Sequence, residues 1–107
     1  MQTQKNKSEQ IPASDELDRV IHEPARLRIV AVLQPLEEAD FLFLERATGL
    51  TRGNLSAHLS KLEAAGYLAI RKTFVEKIPR TVVCLTAEGR SAFARYRKAL
   101  LKTLGEH

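Results

Sequence analysis

The spacing of apolar positions changes along this chain, and the changes divide it into elements. Residues 1–13 are polar and aperiodic and read as a disordered tail. Leu17, Val20 and Ile21 then recur at helical spacing. Ser14 is placed to cap them, and Asp15 and Glu16 suit the positive end of a helix dipole, which predicts a short helix over 15–22. Pro24 ends that helix and suits the first turn of the next, where its missing N–H is no loss. In PARLRIVAVLQ, the residues Leu27, Ile29, Val30, Val32 and Leu33 occupy more than one face, the mark of a helix buried on several sides. In LEEADFLFLE the run Phe41, Leu42, Phe43, Leu44 is too short for periodicity to decide. It reads as an extended segment over 40–42 leading into a helix from Phe43, with Phe41 and Phe43 as core anchors.

The stretch LERATGLTRGNLSAHLSKLEAAGY carries the strongest local signals. A short segment from Leu44 to Thr48 stops at Gly49, and a second helix runs from Thr51 to Ala65 and stops at Gly66. Thr51 is an N-cap residue. Leu50 before it and Leu55 after it have the spacing of a hydrophobic staple. Two helices joined by a tight turn containing Gly form a helix-turn-helix signature. On the second helix Leu55, Leu59 and Leu62 make one apolar stripe. The opposite side carries Gly53, Asn54, Ala57, Ser60 and Lys61, flanked by Arg52 and Ser56. It is small, polar and basic, without the Glu/Lys pairs of a merely solvated surface. Small side chains permit close approach, and Asn, Ser and Lys offer hydrogen bonds to bases and phosphates. His58, at the edge of the leucine stripe, reads first as a packed, hydrogen-bonded side chain and second as a base or phosphate contact.

After Gly66 the period shortens to two. Leu68, Ile70 and Phe74 alternate with Arg71 and Thr73, and Thr81, Val83 and Leu85 alternate with Val82 and Cys84. VEKIPR between them supplies a turn. The result is a hairpin with Lys77 and Arg80 at its tip and Arg71 and Lys72 along its arm. Thr86 then caps a last helix of about eighteen residues, roughly 27 Å long, reaching Leu104. Glu88 near its start and Lys98 and Lys102 near its end suit its dipole. Ala92, Phe93, Tyr96, Ala99, Leu100, Thr103 and Leu104 lie along one stripe.

Charge sharpens this picture. The net charge is +4 over 107 residues, and it is segregated. Residues 15–50 hold four bases and eight acids, whereas residues 51–80 hold six bases and two acids. The chain turns basic where the second helix of the motif begins, the footprint of a polyanion-binding face. The length fits one domain. No run of apolar residues is long enough to cross a membrane, and MQTQKNKSEQ lacks the apolar core of a secretory signal. A lone Cys84, on the outward face of its strand, excludes an internal disulfide and agrees with a reducing cytoplasm. His22, His58 and His107 are not paired at metal-ligand spacing, and Glu37, Glu38 and Asp40 read as solvated acids. No Gly-rich phosphate loop, nucleophile motif or paired-carboxylate set is visible. Neither enzymatic activity nor a metal or cofactor is expected.

Helix, helix, short strand, helix-turn-helix, basic hairpin, long helix is the order of a winged-helix domain, mainly α with a small β-hairpin (α-α-β-α-α-β-β-α). The runs GLTRGNLSAHLSKLEAAGYL and RKTFVEKIPRTVVCLTAEGRSAF resemble the small stand-alone winged-helix transcription regulators related to the MarR and ArsR groups. The most specific pieces are GNLSxHLxKLExAGY and PRTxxxLTxEG. The paired cysteines of metal-sensing ArsR-type regulators are absent. The resemblance implies a domain over 14–104 that binds double-stranded DNA as a homodimer. Thr51, Arg52, Gly53, Asn54, Ser56, Ala57, His58, Ser60 and Lys61 would lie on a major-groove recognition helix. Lys72, Lys77 and Arg80 would lie on a wing, over 72–80, that reaches phosphates or a minor groove, with Arg71 on the arm beside it as a further DNA contact. The end helices would pair through Leu17, Val20, Ile21, Phe93, Tyr96, Ala99, Leu100 and Leu104. With so few residues outside this core, any small-molecule effector would sit between helices or at the dimer interface. The alternative is a winged-helix module that binds protein or RNA without reading a duplex; the basic charge of residues 51–80 favours DNA.

Overall fold

The computed structural model describes residues 16–105. The expected tail, the Ser14 cap and His107 lie outside them. In order, the described elements are α1 (Pro24–Leu33), β1 (Ala39–Asp40), α2 (Phe41–Thr48), α3 (Arg52–Ala64), β2 (Leu68–Val75), β3 (Ile78–Leu85) and α4 (Ala87–Thr103). The three strands form one antiparallel sheet with β3 in the middle, in the order β1-β3-β2. This is the winged-helix arrangement, with one difference at its start.

Residues 16–23 form turns and bends in place of the helix expected over 15–22. The Asp18 carboxylate accepts from the backbone N–H groups of Val20 (2.8 Å) and Ile21 (3.1 Å). A side chain that captures nearby N–H groups offers the backbone an alternative to the helix ladder, and Pro24 forbids extending a helix further. The turn still buries Ile21, which packs with Ala92 and Tyr96 of α4 and with half-buried Leu17, Leu27, Tyr67, Phe93 and Leu100.

The main core joins Ile29, Val30 and Leu33 of α1, Leu44 of α2, the stripe Leu55, Leu59 and Leu62 of α3, and Leu68, Val83 and Leu85 of the sheet. α1 touches α2, α3 and β3, the central position its apolar faces required. The extended segment and the helix after it are shifted from the sequence expectation. Asp40 already caps α2, its carboxylate accepting from the Phe43 N–H at 2.8 Å. Starting at Phe41, the helix turns Leu44 and Thr48 inward, so Leu42 (51% exposed) and Phe43 (45% exposed) face solvent and only Phe41 packs on the core. Val82, expected outward, is buried. Its strand is central, and Asp40 of β1 and Arg71 of β2 flank it in register.

Tyr67 fastens three segments together. Its carbonyl accepts from the Thr86 N–H at 3.0 Å, and its hydroxyl donates to the Asp18 carboxylate at 2.5 Å. Burial, and then the bond to Asp18, push its hydroxyl up to about 12. Burial raises that of Tyr96 as well. The folded state therefore holds these protons more tightly than the unfolded chain, whose tyrosines titrate near 10. The resulting stabilisation is complete below about pH 10 and is lost as pH rises from there through about 12. Chemical denaturation across pH 8–12 should show a steep alkaline decline, shallower in Tyr67→Phe. A variant with an unchanged decline would assign it to other groups.

Candidate nucleic-acid interface

The helix-turn-helix is α2, the turn and α3. Gly49 takes the left-handed conformation at φ 73° that ends α2, a position that favours glycine. From α1, Arg28 donates to the Thr48 carbonyl at 2.6 Å, fixing the last turn of α2. Thr51 accepts from the Asn54 N–H at 3.2 Å and caps α3. Leu50 and Leu55 meet in the main core, as a staple requires. The leucine stripe then orients the helix: with Leu55, Leu59 and Leu62 inside, the residues Thr51, Arg52, Gly53, Asn54, Ser56, Ala57, Ser60 and Lys61 are all exposed. Among the described residues, none offers a hydrogen-bond or ion-pair partner to the side chains of Arg52, Asn54, Ser56, Ser60 or Lys61. The face is a row of unengaged donors and acceptors. Nothing lies near Gly53, so the helix surface there is open.

His58 is half-buried and engaged. Its Nδ1 lies 3.2 Å from Arg26 Nη1. A guanidinium carries only donors, so Nδ1 is the acceptor in this contact, and the Glu23 carboxylate lies 4.0 Å from the same nitrogen. Arg26 also donates from Nε to the Val20 carbonyl at 2.6 Å. Its backbone N–H caps α1 onto Glu23 at 2.8 Å, the main reason that carboxyl sits below its ordinary range. Of the two sequence readings of His58, the packed, hydrogen-bonded one matches this geometry.

The wing is the β2–β3 hairpin, closed by Glu76 and Lys77 with φ of 52° and 68°. Two consecutive left-handed residues make the tight turn whose twist suits a hairpin. The register pairs Thr73 with Arg80 and Phe74 with Pro79, so Pro79 lies within β3, and Arg80 stands on the arm rather than the tip. Cross-strand partners share a face. Lys72, Phe74, Pro79 and Thr81 continue the core-facing side, while Arg71, Thr73, Val75, Ile78, Arg80 and Val82 take the other. On that outer face both arginines are occupied. Arg71 binds Glu38 at 2.8 Å and Arg80 binds Asp40 at 2.7 Å. Glu38 and Asp40, expected as solvated acids, hold the wing to the loop before α2. The wing cations without such a pairing among the described residues are Lys72 and Lys77.

Between α3 and the wing runs a groove of about 460 Å³, walled by Arg52 and Ser56 on one side and Ile78, Pro79, Arg80 and Thr81 on the other, with Asp40, Phe41 and Leu42 at its floor and end. Sequence reasoning missed four contributors. Arg28 and the two carboxylates act on partners distant in sequence, so no local pattern marks them. Ile78 was read only as part of the turn.

The residues expected at a dimer interface fall into two groups. Ile21, Tyr96 and Ala99 are buried within the single chain, and Tyr96 also bonds His22 Nδ1 through its hydroxyl at 2.9 Å. Leu17, Val20, Phe93 and Leu100 are half-buried. Leu104 is 67% exposed, and Leu101, one turn back on α4, is 41% exposed.

Comparison with known proteins places this geometry. An uncharacterized protein of Methanocaldococcus jannaschii is 33% identical over 84 residues, 78% of this chain and 91% of that protein. The structure of a transcriptional regulator homologue from Pyrococcus horikoshii matches with a TM-score of 0.78 at 31% identity, over 82% of this chain and 87% of that one. The transcriptional repressor CouR, solved on a 23-mer DNA duplex, has the same fold, with a TM-score of 0.65 at 24% identity over 79% of this chain and 58% of that one. Residues 25–104 match the family described as winged helix DNA-binding domain, and the chain belongs to that family.

Proposed function

We propose that the chain binds double-stranded DNA as a homodimeric transcriptional regulator, with α3 in the major groove and the wing over the adjacent backbone and minor groove. The observation that carries this reading is the exposed face of α3. Arg52, Asn54, Ser56, Ser60 and Lys61 stand together with their polar groups unengaged, beside a groove that leads to the wing. A helix presented in this way meets base edges with its first turn. Arg52 and Asn54 lie there and supply readout, while Ser60, Lys61, Lys72 and Lys77 face phosphates. The Pyrococcus relative, named as a transcriptional regulator homologue, and the CouR complex with its duplex both support the reading. Pairing of two chains presents two α3 helices to two half-sites.

Binding to duplexes selected from a random pool, titrated between 50 and 200 mM salt, tests the proposal. Affinity should fall steeply, by about 0.9 in log–log slope for each phosphate neutralised. Lys72→Ala and Lys77→Ala should each flatten the slope by about that amount. Arg71→Ala and Arg80→Ala should flatten it less, because each arginine already faces a carboxylate. Binding that ignores salt would remove the DNA reading.

A further inference from the structure

The wing ends in apolar residues that neither the core nor an electrostatic role explains. Phe74 is 69% exposed, Ile78 60% and Val75 45%. They flank the turn within five positions, and they do not share a face: Phe74 projects to one side of the hairpin with Pro79, Val75 and Ile78 to the other. A flat protein partner would cover one side only. An apolar tip exposed on both sides fits an occupant with two walls. The turn itself adds one acid, Glu76, and one base, Lys77, so the tip carries no net charge. The two arginines nearest the tip are tied to Glu38 and Asp40.

We propose that Phe74, Val75 and Ile78 form an apolar wedge that enters the DNA minor groove beside each α3 contact and opens it. This rests on the DNA-binding reading above. Lys72 on the arm, together with Lys77 at the turn, supplies the charge that brings a duplex to this edge. The free minor groove is about 6 Å wide, too narrow for a ribbon with side chains on both faces, so the groove must widen around the tip. Phe, Ile and Pro are the residue types that wedge between base steps. Widening is easiest at pyrimidine–purine steps and hardest at A-tracts, whose narrow groove instead attracts free arginine. The wing therefore selects flexible flanks, the opposite of an arginine-tipped wing.

The test uses the full chain and one selected core site carried on three duplexes, flanked by TpA steps, by A-tracts or by G·C pairs. Wild type should bind the TpA-flanked duplex at least about tenfold tighter than the A-tract duplex, the scale of one apolar side chain buried. Phe74→Ser with Ile78→Ser should abolish that preference and leave the salt slope unchanged, since no phosphate contact is lost. Both positions are exposed, and circular dichroism should show the variant folded. A preference for A-tracts, or a variant that binds all three duplexes like wild type, overturns the wedge and leaves the DNA reading standing. A variant that loses self-association in sedimentation while keeping its flank preference makes the tip a contact between copies and also overturns it. Wild type that binds no duplex in a salt-dependent way removes both readings.

Discussion

Replacing Leu101 and Leu104 together by glutamate is expected to yield a folded monomer that binds a two-half-site duplex about a hundredfold or more weaker, the scale of lost bivalency. The expectation starts from where the terminal stripe is already used. Tyr96 and Ala99 are buried in the single chain, Ile21 packs against Tyr96, and the remaining apolar surface of α4 lies at its last two turns. Leu104 at 67% exposure and Leu101 at 41% sit there, with half-buried Leu100 beside them. A two-fold contact at that end would use each residue twice, and closed two-fold pairing is the commonest way to bury such a patch. Full burial of a leucine side chain contributes about 1.5–3 kcal/mol, so four charged replacements across one contact should abolish it. Since the positions are exposed, the monomer fold should survive, as circular dichroism will report. Sedimentation equilibrium at micromolar protein reads the association directly. A wild type that is monomeric there, or a variant that remains a dimer, would place the contact elsewhere or remove it.

Gly89→Ala should be the most damaging single methyl in the chain. Gly89 lies in the first turn of α4, and an added Cβ would run into the backbone of Tyr67, its carbonyl above all. Neither side can yield by a rotamer change, because both are main chain. The Thr86 N–H bonds that same Tyr67 carbonyl at 3.0 Å, and the Thr86 hydroxyl caps α4 through the Gly89 N–H at 2.9 Å and donates to the Gly66 carbonyl at 2.7 Å. Moving α4 outward breaks this set together and opens the Ile21–Ala92–Tyr96 cluster beneath it. A loss of about 3 kcal/mol or more is expected, enough to lower the melting temperature by more than about 10 °C in a domain of this size. Gly53→Ala is the matched control. Nothing lies within 4 Å of its added Cβ, and the same methyl on an exposed helix should raise stability by roughly 0.5–1 kcal/mol. Equal effects at the two positions would show that the close approach at Tyr67 relaxes without cost.

Local signals carried most of the fold. Thr51 and Thr86 capped the helices they were expected to cap, Gly49 and Gly66 took left-handed conformations, and the leucine stripe of α3 went inside. Each depends on residues within one or two turns of each other. What escaped depends on competition or on distance. The helix over 15–22 lost to a local turn because Asp18 binds N–H groups that the helix would have used. Phe43 turned outward because Asp40 capped α2 earlier than the apolar run suggested. The wing arginines were legible as charges, but their partners stand 33 and 40 residues away in sequence, and no periodicity encodes such pairs. The same holds for the stripe of α4. Its length was readable, but which half of it the chain would cover was not, since Ile21 reaches it only through the turn that replaced a helix.

The carboxylates on the wing bear on how such a protein would find its site. A genome offers on the order of a million or more wrong positions for each right one, so occupancy depends on the ratio of specific to non-specific affinity rather than on tight binding alone. Non-specific affinity is set almost entirely by the number of phosphates neutralised. On the proposed DNA-binding reading, holding Arg71 and Arg80 against Glu38 and Asp40 would weaken the pull of two cations in each random encounter while leaving the α3 face presented. Glu38→Gln and Asp40→Asn changes would release those charges, and the protein would then linger on unrelated DNA, its search slowed by stronger attraction to the wrong sequence.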